Sequence, residues 1–548
     1  MEHLLAHIEV GQDRRIALVP TIESARGLRK AARIAAAYTA AGLGPDSKIG
    51  LYLYNGNEYL EAHFGAFKMR GVPINVNYRY LDEELVYLLD NADAEALVFH
   101  SSLADRVARI RERLPRIRLI VEVDDGGAGS SPDVLAYEPL LAAHAPMPRI
   151  ERSETDTYML YTGGTTGMPK GVMYDMGDIT RAFAAMGFPL LGAAAPDDPA
   201  EIAPFVRNAV ASGFRLVSMP CAPLMHGTGV WLGAMIPHLG GGQVVTLQNR
   251  SLDPDEILRT VETEAVTHTT IVGDAFAKPI IRAIDAAIAS GRPYDTSSLQ
   301  MIISSGVMWT AEVKEQILDR IEQVVLLDAI GSSEGSMGNS ISMKGVPPRT
   351  GSFTSNPTTK VFTDDDREVQ PGSDEVGMVA AGGAMVPKGY FKDPEKSART
   401  FRTIGGVRYS FPGDMAMVAA DGSLVLLGRG SQVINSGGEK IFPEELEEAV
   451  KRVPGVLDCL VVGLPDERFG QSVTAVASIT DGSTVSEAEI IAGVKRDLAA
   501  YKADPKSAGE LLKVGYSPVP EGLDTAELAA WTMLANVLFN LDETLMKR

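Results

Sequence analysis

A segment rich in glycine and threonine, Tyr161 to Gly171, constrains this chain more than any other part of it. Its sequence, YTGGTTGMPKG, holds four glycines, three threonines and one lysine. Glycine lets main-chain N–H groups turn towards an anion, threonine hydroxyls add donors, and Lys170 adds positive charge, so the composition favours polyphosphate binding. In the P-loop of nucleotide triphosphatases, lysine directly follows the last glycine, whereas here Met168 and Pro169 intervene. The alternative is a plain hairpin tip, which requires neither three threonines nor a lysine.

Strand-like and helical segments alternate on both sides of this segment. The pattern predicts strands over 48–54, 72–76, 94–99, 156–161, 243–247, 266–272, 298–304 and 324–328. It predicts helices over 24–43, 57–70, 82–92, 253–264, 274–290 and 310–320. Such alternation is typical of parallel sheets covered by helices, so the predicted fold class is α/β. Residues 189–215 show little periodicity and are predicted to be a surface excursion, and 335–382 are predicted to form a region of short β-strands.

Length, charge and cysteine content narrow the class of protein. The chain has 548 residues, with 51 Lys and Arg against 71 Asp and Glu, which gives a net charge of −20. A surface this acidic repels nucleic acid and anionic lipid, so neither is an expected partner. Cys221 and Cys459 lie far apart, which argues against a disulfide framework and a zinc site. No signal peptide or transmembrane segment is indicated, so the sequence predicts a cytoplasmic protein.

Two turns near predicted strands hold candidate site residues. His226 lies on a turn beside Gly227, where a structural histidine is the more common case. Ser305 and Gly306 follow a predicted strand, and ligands of open α/β sheets bind at the carboxyl ends of strands. Alone, each of these signals is weak.

Two acidic positions form the next candidates. Ser332, Ser333 and Glu334 come after the strand that ends at Asp328, and a carboxylate with neighbouring hydroxyls favours a Mg²⁺ or nucleotide contact. The alternative for this group is helix capping. Asp414 lies in a Pro-Gly-Asp sequence, where the alternative is an ordinary turn aspartate.

The order of these motifs resembles that of the adenylate-forming superfamily of acyl-CoA synthetases, luciferases and peptide-synthetase adenylation domains. The motifs are LYTGGTTG from Leu160, PLMHG from Pro223, IGSSE from Ile330, PGD from Pro412, GRGS from Gly428 and INSGGEK from Ile434. The resemblance covers about residues 30–502 and is strongest to bacterial CoA ligases that act on fatty acids and steroid side chains. It implies a large N-terminal domain of stacked βαβ sheets plus a β subdomain over 1–428, a hinge at 429–431, and a small, mobile α+β C-terminal domain over 432–548.

The resemblance also implies a two-step reaction with ATP, Mg²⁺ and CoA. A carboxylate attacks the α-phosphate of ATP, giving an acyl-adenylate and pyrophosphate, and the CoA thiol then displaces AMP. The implied catalytic residues are Thr166, Lys170, His226 and Glu334, with Glu334 also the implied Mg²⁺ ligand. The implied cofactor-binding residues are Thr162, Gly163, Gly164, Thr165, Gly167, Ser305, Gly306, Asp328, Ile330, Gly331, Ser332, Ser333, Asp414, Arg429, Ser436, Gly437 and Gly438.

Each group of matching residues has an implied role. The threonines and Lys170 would hold the β- and γ-phosphates, and Ser333 and Glu334 would lie at the α-phosphate. Asp414 would accept the ribose hydroxyls, and His226 would line the acyl pocket. Ser436 to Gly438 would reach the thioester side after rotation of the small domain about Ser431.

Two departures from the family pattern set open questions. Ile330 stands where the family usually places an aromatic residue against adenine, so we expect an altered contact rather than lost binding. The family's C-terminal Gly-Lys motif, whose lysine reaches the α-phosphate during adenylation, is absent after Lys502. Lys506 and Lys513 are candidate substitutes, and the tail from about 503 becomes atypical, with an apolar helix predicted over 525–548. We hypothesise that adenylation is slow while thioester formation from supplied acyl-adenylate survives.

The sequence does not identify the carboxylic acid substrate or the acceptor of the acyl group. Gly227, Gly229, Gly233 and Ala234 beside Trp231 either leave room for a bulky apolar acid or simply allow close helix packing. The leading prediction is an acyl-CoA ligase for a fatty or bulky apolar carboxylic acid. The alternatives are a ligase that delivers the acyl group to a carrier protein and a weakened protein that binds ATP or acyl-adenylate. The sequence also leaves homodimer formation open.

Overall fold

The computed structural model describes residues 16–17, 26–127, 133–164, 167–191, 194, 199–383, 385–430, 433–436, 439–441, 443–466, 470–480 and 482–494. The strands are β1 (Ile16–Ala17), β2 (Lys48–Tyr52), β3 (Val72–Asn75), β4 (Ala94–His100), β5 (Leu119–Val123), β6 (Leu135–Ala136), β7 (Thr157–Gly164), β8 (Gly167–Asp175), β9 (Val217–Pro220), β10 (Gln243–Val245), β11 (His268–Ile271), β12 (Met301–Ser305), β13 (Val325–Ser332), β14 (Gly335–Ser342), β15 (Ser352–Ser355), β16 (Lys360–Phe362), β17 (Gly377–Ala380), β18 (Gly389–Tyr390), β19 (Phe401–Ile404), β20 (Val407–Ser410), β21 (Asp414–Val418), β22 (Leu424–Arg429), β23 (Ile434–Ser436), β24 (Glu439–Ile441), β25 (Val456–Asp466) and β26 (Gly470–Ile479). The α-helices are α1 (Arg26–Ala40), α2 (Asn57–Lys68), α3 (Asp82–Asn91), α4 (Ala104–Ile110), α5 (Tyr137–Ala143), α6 (Met176–Gly187), α7 (Pro199–Ala211), α8 (Ile236–Leu239), α9 (Pro254–Glu264), α10 (Gly273–Ala289), α11 (Ala311–Arg320), α12 (Pro394–Thr400) and α13 (Pro443–Lys451). Short 3₁₀ turns cover Ser101–Leu103, Arg111–Arg113 and Phe188–Leu191, and a π-helix covers Thr228–Met235.

The chain divides into two compact units. The first unit comprises 1–350 with 381–410, and the second comprises 351–380 with 411–548. Residues 351–380 and 411–428 thus belong to the second unit. The sequence-based prediction instead places them in the N-terminal domain, with the boundary at 429–431. The hinge itself remains a prediction, because Ser431 lies outside the described residues.

Two largely parallel sheets carry the first unit. One has the strand order β3-β2-β4-β5-β6, and all of its pairs are parallel. The other begins β1-β10-β9-β11-β12-β13-β14, with parallel pairs from β10 to β13 and antiparallel pairs at β1 and β14. Strands β2, β3, β9 and β11 are buried along their whole length, as in sheets that helices cover on both faces. The predicted α/β class is confirmed, with a large N-terminal and a small C-terminal domain.

Smaller antiparallel sheets complete both units. In the first unit, β18, β8 and β7 form a three-stranded sheet. In the second unit, β15, β22, β21, β17 and β16 follow one another with antiparallel pairing, and β24, β23, β26 and β25 form a separate sheet. The short strands β14 to β17 confirm the predicted β region over 335–382.

The surface excursion predicted over 189–215 contains a helix that its sequence did not predict, because α7 spans Pro199–Ala211. Its buried Val206 packs in a cluster with Phe188 and Ala184, so tertiary contact stabilises a helix whose sequence has weak periodicity. The predicted C-terminal tail helix lies outside the described residues, as do the substitute lysines of the tail. No helix in the described part of the chain is both long and apolar enough to cross a membrane.

A buried carboxyl group gives the first unit a pH-dependent stability. Glu61 on α2 is 7% exposed, accepts a hydrogen bond from the Tyr137 hydroxyl at 2.9 Å, and lies 3.8 Å from the Lys30 ammonium. Burial raises the pKa of Glu61 from its ordinary value of 4.5 to about 8. Because the folded protein holds this proton more tightly than the unfolded chain, stability falls as pH rises between those two values.

Glu61→Gln keeps the hydrogen-bond acceptor and removes the ionisable group. We expect it to raise the thermal midpoint above pH 8, by the equivalent of about 4–5 kcal/mol, and to change it little below pH 4.5. Scanning calorimetry across this range measures the effect. Glu138→Gln is the matched control, since Glu138 also pairs with Lys30 but its side chain is 62% exposed. The same pH profile in both variants would contradict the assignment to Glu61.

Candidate active site

The Gly/Thr/Lys segment forms the end of the β7–β8 hairpin. Thr162 lies opposite Lys170 in the hairpin, and Gly164 lies opposite Gly167. Thr165 and Thr166, between the last pair, lie outside the described residues. The segment is therefore a hairpin, as both the phosphate-binding prediction and the plain hairpin alternative allow. Which of the two applies depends on the residues around Lys170.

The Lys170 side chain meets a tyrosine and, through it, the acidic motif. Its ammonium lies 5.8 Å from the centre of the Tyr390 ring. The Tyr390 hydroxyl donates a hydrogen bond to Glu334 Oε1 at 2.8 Å. Lys170 and Glu334, predicted to act on the phosphates and on Mg²⁺, are thus joined by a residue that sequence reasoning missed.

The Gly-Ser-Ser-Glu motif makes a tight connection between β13 and β14, in which Ser332 lies opposite Gly335. The Glu334 N–H donates to Ser332 Oγ at 3.1 Å, which fixes the direction of the Glu334 main chain. The Tyr174 hydroxyl, from β8, donates to the Ser333 carbonyl oxygen. A β-bulge between Ile330 and Gly331 precedes the turn. The motif thus ends a strand rather than capping a helix, as ligand sites of open sheets require.

The carboxylate of Glu334 is the predicted magnesium ligand. No group of three or more His, Cys, Asp and Glu side chains suited to a metal ion occurs among the described residues. Mg²⁺ in nucleotide-dependent enzymes commonly uses one or two carboxylates together with substrate phosphates and water. One half-buried carboxylate beside a lysine fits that mode, and Mg²⁺ binding by Glu334 remains a prediction.

Asn75, a further residue missed by sequence reasoning, ties the hairpin to the His226 turn. Its amide nitrogen donates to the carbonyl oxygens of Tyr161 and Met225 at 2.8 and 2.7 Å. Its amide oxygen accepts from the Tyr161 N–H at 2.7 Å. Because Tyr161 precedes Thr162 and Met225 precedes His226, one buried side chain sets the spacing of two predicted site segments. The sequence feature that could have identified Asn75 is its position at the carboxyl end of β3, where open α/β sheets bind their ligands.

His226 lies in the connection between β9 and the π-helix. Asn55 holds the start of this connection by donating to the Ala222 carbonyl oxygen at 3.1 Å and accepting from the Leu224 N–H at 2.7 Å. Solvent reaches the His226 ring, yet desolvation by the surrounding protein, and then Arg79, lower its pKa below the ordinary value. A neutral imidazole is therefore available at neutral pH, and its role in an acyl site remains a prediction.

The glycines after His226 serve close packing. A Cβ on Gly229 would lie 2.2 Å from the Pro223 carbonyl oxygen, and one on Gly233 would lie 2.6 Å from Pro220 Cβ. Trp231 is buried and donates to the Tyr158 hydroxyl at 2.8 Å. The interpretation that these glycines leave room for a bulky acid is wrong at Gly229 and Gly233, because protein atoms already fill that space.

The predicted sites at the ends of β12 and β13 lie side by side. Ser305 lies opposite Ala329, next to Ile330. Gly306 has a φ of 96°, a left-handed conformation that favours glycine. Ile330 is buried at 9% exposure, so only a small part of its side chain is accessible. Ser305 and Ile330 therefore lie close to each other at the carboxyl ends of two neighbouring strands. Contact between these residues and adenine remains a prediction.

Asp328 differs from the other predicted nucleotide contacts. It is 4% exposed, and its Oδ2 lies 2.7 Å from the ammonium of the almost completely buried Lys314. Burial raises its pKa. This ion pair joins β13 to α11 and indicates a structural role, since a group held this way would have to leave a buried partner to bind nucleotide.

The second unit holds the remaining predicted residues. Asp414 lies opposite Arg429 in the β21–β22 pair, and their side chains form an ion pair at 3.5 Å. The structure thus brings these two predicted residues together, while ribose binding by Asp414 remains a prediction. Ser436 ends β23 and pairs with Glu439, whereas Gly437 and Gly438 lie outside the described residues.

Comparison with known proteins identifies the family. Residues 25–391 match the family described as AMP-binding enzyme, and residues 445–511 match the AMP-binding enzyme C-terminal domain. The first match alone covers more than half of the chain. The chain belongs to the AMP-binding enzyme family. The resemblance inferred from the motifs is therefore confirmed.

Two relatives of this AMP-binding enzyme are themselves CoA ligases by name. The medium-chain acyl-CoA ligase Mig of Mycobacterium avium is 41% identical over 461 residues, which cover 83% of this chain and 81% of the relative. The medium/long-chain-fatty-acid–CoA/3-oxocholest-4-en-26-oate–CoA ligase of Mycolicibacterium smegmatis is 40% identical over 495 residues, with 89% and 88% covered. Of the solved structures, an anthranilate CoA ligase, AuaEII, in complex with anthranoyl-AMP matches with a TM-score of 0.72, at 21% identity, over 94% of this chain and 92% of that one. That likeness concerns the fold.

Proposed function

We propose that this AMP-binding enzyme is an ATP-dependent acyl-CoA ligase, which converts a carboxylic acid, ATP and CoA into acyl-CoA, AMP and pyrophosphate. The observation that carries the proposal is the Lys170–Tyr390–Glu334 group at the base of the Gly/Thr hairpin. It brings a cation and a carboxylate together at one tyrosine. The CoA-ligase names of the relatives agree with this chemistry.

The chemistry of the first step explains why the site has these residues. The substrate carboxylate and the α-phosphate are both anionic, so their approach is opposed by charge repulsion. Lys170 and the hairpin N–H groups would reduce the charge of the phosphates and fix their position, and positioning of this kind accounts for much of catalysis in phosphate chemistry. Mg²⁺, when bound through Glu334 and phosphate oxygens, would supply further positive charge.

As substrates we propose medium- or long-chain fatty acids or the carboxylated side chain of a steroid. This choice rests on the names of the two relatives, both about 40% identical over most of the chain. The lowered pKa of His226, which favours the neutral imidazole, is compatible with an apolar acid.

A panel of acids tests the function. The full chain, ATP and Mg²⁺ are incubated with dodecanoate, hexadecanoate, 3-oxocholest-4-en-26-oate, ferulate or acetate, with and without CoA, and AMP and acyl-CoA are measured. We expect CoA-dependent AMP release with the fatty or steroid acids and little with acetate. If AMP release required a carrier protein instead of CoA, the enzyme would be a ligase that delivers the acyl group to a carrier protein.

The missing C-terminal Gly-Lys motif favours a second candidate, an enzyme that binds ATP and acyl-adenylate but adenylates slowly. Pyrophosphate release from ATP and acid is compared with thioester formation from synthetic acyl-adenylate. A slow first reaction with a fast second one would support it, whereas pyrophosphate release as fast as thioester formation would exclude it.

A further inference from the structure

A second lysine lies on the same tyrosine as Lys170. The ammonium of Lys396, on α12, is 5.9 Å from the centre of the Tyr390 ring, compared with 5.8 Å for Lys170. Cations are attracted to the face of an aromatic ring. Tyr390 therefore holds two ammonium groups near its ring while its hydroxyl contacts Glu334.

The main chain that carries Lys396 is held firmly. The Asp393 side chain accepts from the Lys396 N–H at 3.0 Å, as an N-cap of α12, and Pro394 follows it at the first helical position. The Ser397 hydroxyl donates to the Asp393 carbonyl oxygen at 2.6 Å and accepts from the Tyr390 N–H at 2.8 Å. The Lys396 stem thus begins at a turn whose position relative to Tyr390 is fixed.

The two nearby carboxylates are already engaged. Asp393 caps the helix, and Glu334 accepts the Tyr390 hydroxyl. Within the described ranges of the chain, no carboxylate forms an ion pair with either Lys170 or Lys396. Burial and the Lys396 ammonium lower the pKa of Lys170 to about 8, and they outweigh the opposite effects of Asp393 and Glu334.

Two ammonium groups that repel each other next to a phosphate-binding segment are best explained by a ligand with several negative charges. An anion between them would replace the repulsion by two charge-assisted contacts. A single carboxylate carries one negative charge and would neutralise only one of the two ammonium groups. The β- and γ-phosphates of ATP, or free pyrophosphate, have the required charge.

We propose that Lys396 is a second polyphosphate-binding residue, which acts with Lys170 beside the Tyr390 ring to hold the pyrophosphate part of ATP. This inference rests on the proposed function, because it needs ATP as the substrate. Through Lys396, helix α12 would directly bind pyrophosphate, which is the leaving group of the first step.

Binding measurements with three ligands test the inference. The affinities of the full chain for ATP, pyrophosphate and AMP are measured by calorimetry in the presence of Mg²⁺. We expect Lys396→Ala to weaken ATP and pyrophosphate by about tenfold and to leave AMP within about twofold, since AMP lacks the β- and γ-phosphates. Lys396→Arg should recover most of the loss. The matched control is Lys392→Ala, which removes an exposed lysine that pairs with Asp93 at 2.9 Å, and it should leave all three affinities unchanged.

Each other outcome counts against the inference. Unchanged ATP and pyrophosphate affinities in Lys396→Ala, with normal binding by the wild type, would overturn the inference and leave the proposed function standing. An equal loss for AMP, or the same loss in Lys392→Ala, would show a structural or general charge effect and would overturn it as well. Failure of the wild type to bind ATP or pyrophosphate would overturn both proposals.

Discussion

Glu334→Gln should lower Mg²⁺-dependent pyrophosphate release from ATP and acid by about 100-fold or more. Glutamine keeps the shape of the side chain and still accepts the Tyr390 hydroxyl, which lies at 2.8 Å in the wild type. It removes the negative charge, and Mg²⁺ prefers charged oxygen ligands. The loss should therefore appear in catalysis rather than in folding. A pyrophosphate-release assay at a series of Mg²⁺ concentrations measures it, and higher Mg²⁺ should recover part of the rate.

Glu395→Gln provides the control for Glu334, because it removes one exposed carboxylate from α12, close to the site in sequence. Its rate should match that of the wild type. If Glu334→Gln retained a rate within about threefold of the wild type at every Mg²⁺ concentration, Glu334 would not be the metal ligand.

Asn75→Ala should lower pyrophosphate release by about 100-fold and the free energy of unfolding by about 2–3 kcal/mol. Asn75 is 8% exposed, and its loss leaves the Tyr161 N–H and the carbonyl oxygens of Tyr161 and Met225 without this partner. The hairpin and the His226 turn would then lose their fixed spacing. A displacement of about 1 Å in a reacting group is enough for a rate loss of this size.

The control for Asn75 is Asn91→Ala. Asn91 accepts from the Tyr161 hydroxyl at 2.7 Å, so its loss affects the same tyrosine but none of its main-chain groups. We expect a rate within about threefold of the wild type. A rate for Asn75→Ala that falls only in proportion to its unfolded fraction, measured by circular dichroism, would contradict a positioning role.

Much of this enzyme could be read from residues alone. The composition of the Gly/Thr/Lys segment pointed to phosphate, and the alternation of segments predicted strands close to β2, β3, β4, β11 and β12. Both signals are local: glycine content and side-chain periodicity act over a few residues, so one chain is enough to show them. The family followed from the order of the motifs and is confirmed by the match over residues 25–391.

Other features could not be predicted because they join residues far apart in sequence. Nothing in the sequence links Lys170 to Tyr390, or Tyr161 to Asn75, since those pairs form only when β18 aligns with β8 and when β3 lies beside β7. Likewise, the buried ion pair of Asp328 with Lys314 joins two segments whose contact the sequence does not show.

The sequence by itself therefore determined the α/β class and the family, because these depend on local composition and order. Only the tertiary structure decided that the glycines around Trp231 serve packing, that Asp328 is held in a buried ion pair, and that Lys396 joins Lys170 at Tyr390. The physical reason is that burial, ion pairing and cation–ring contacts depend on distances between segments that the fold alone brings together.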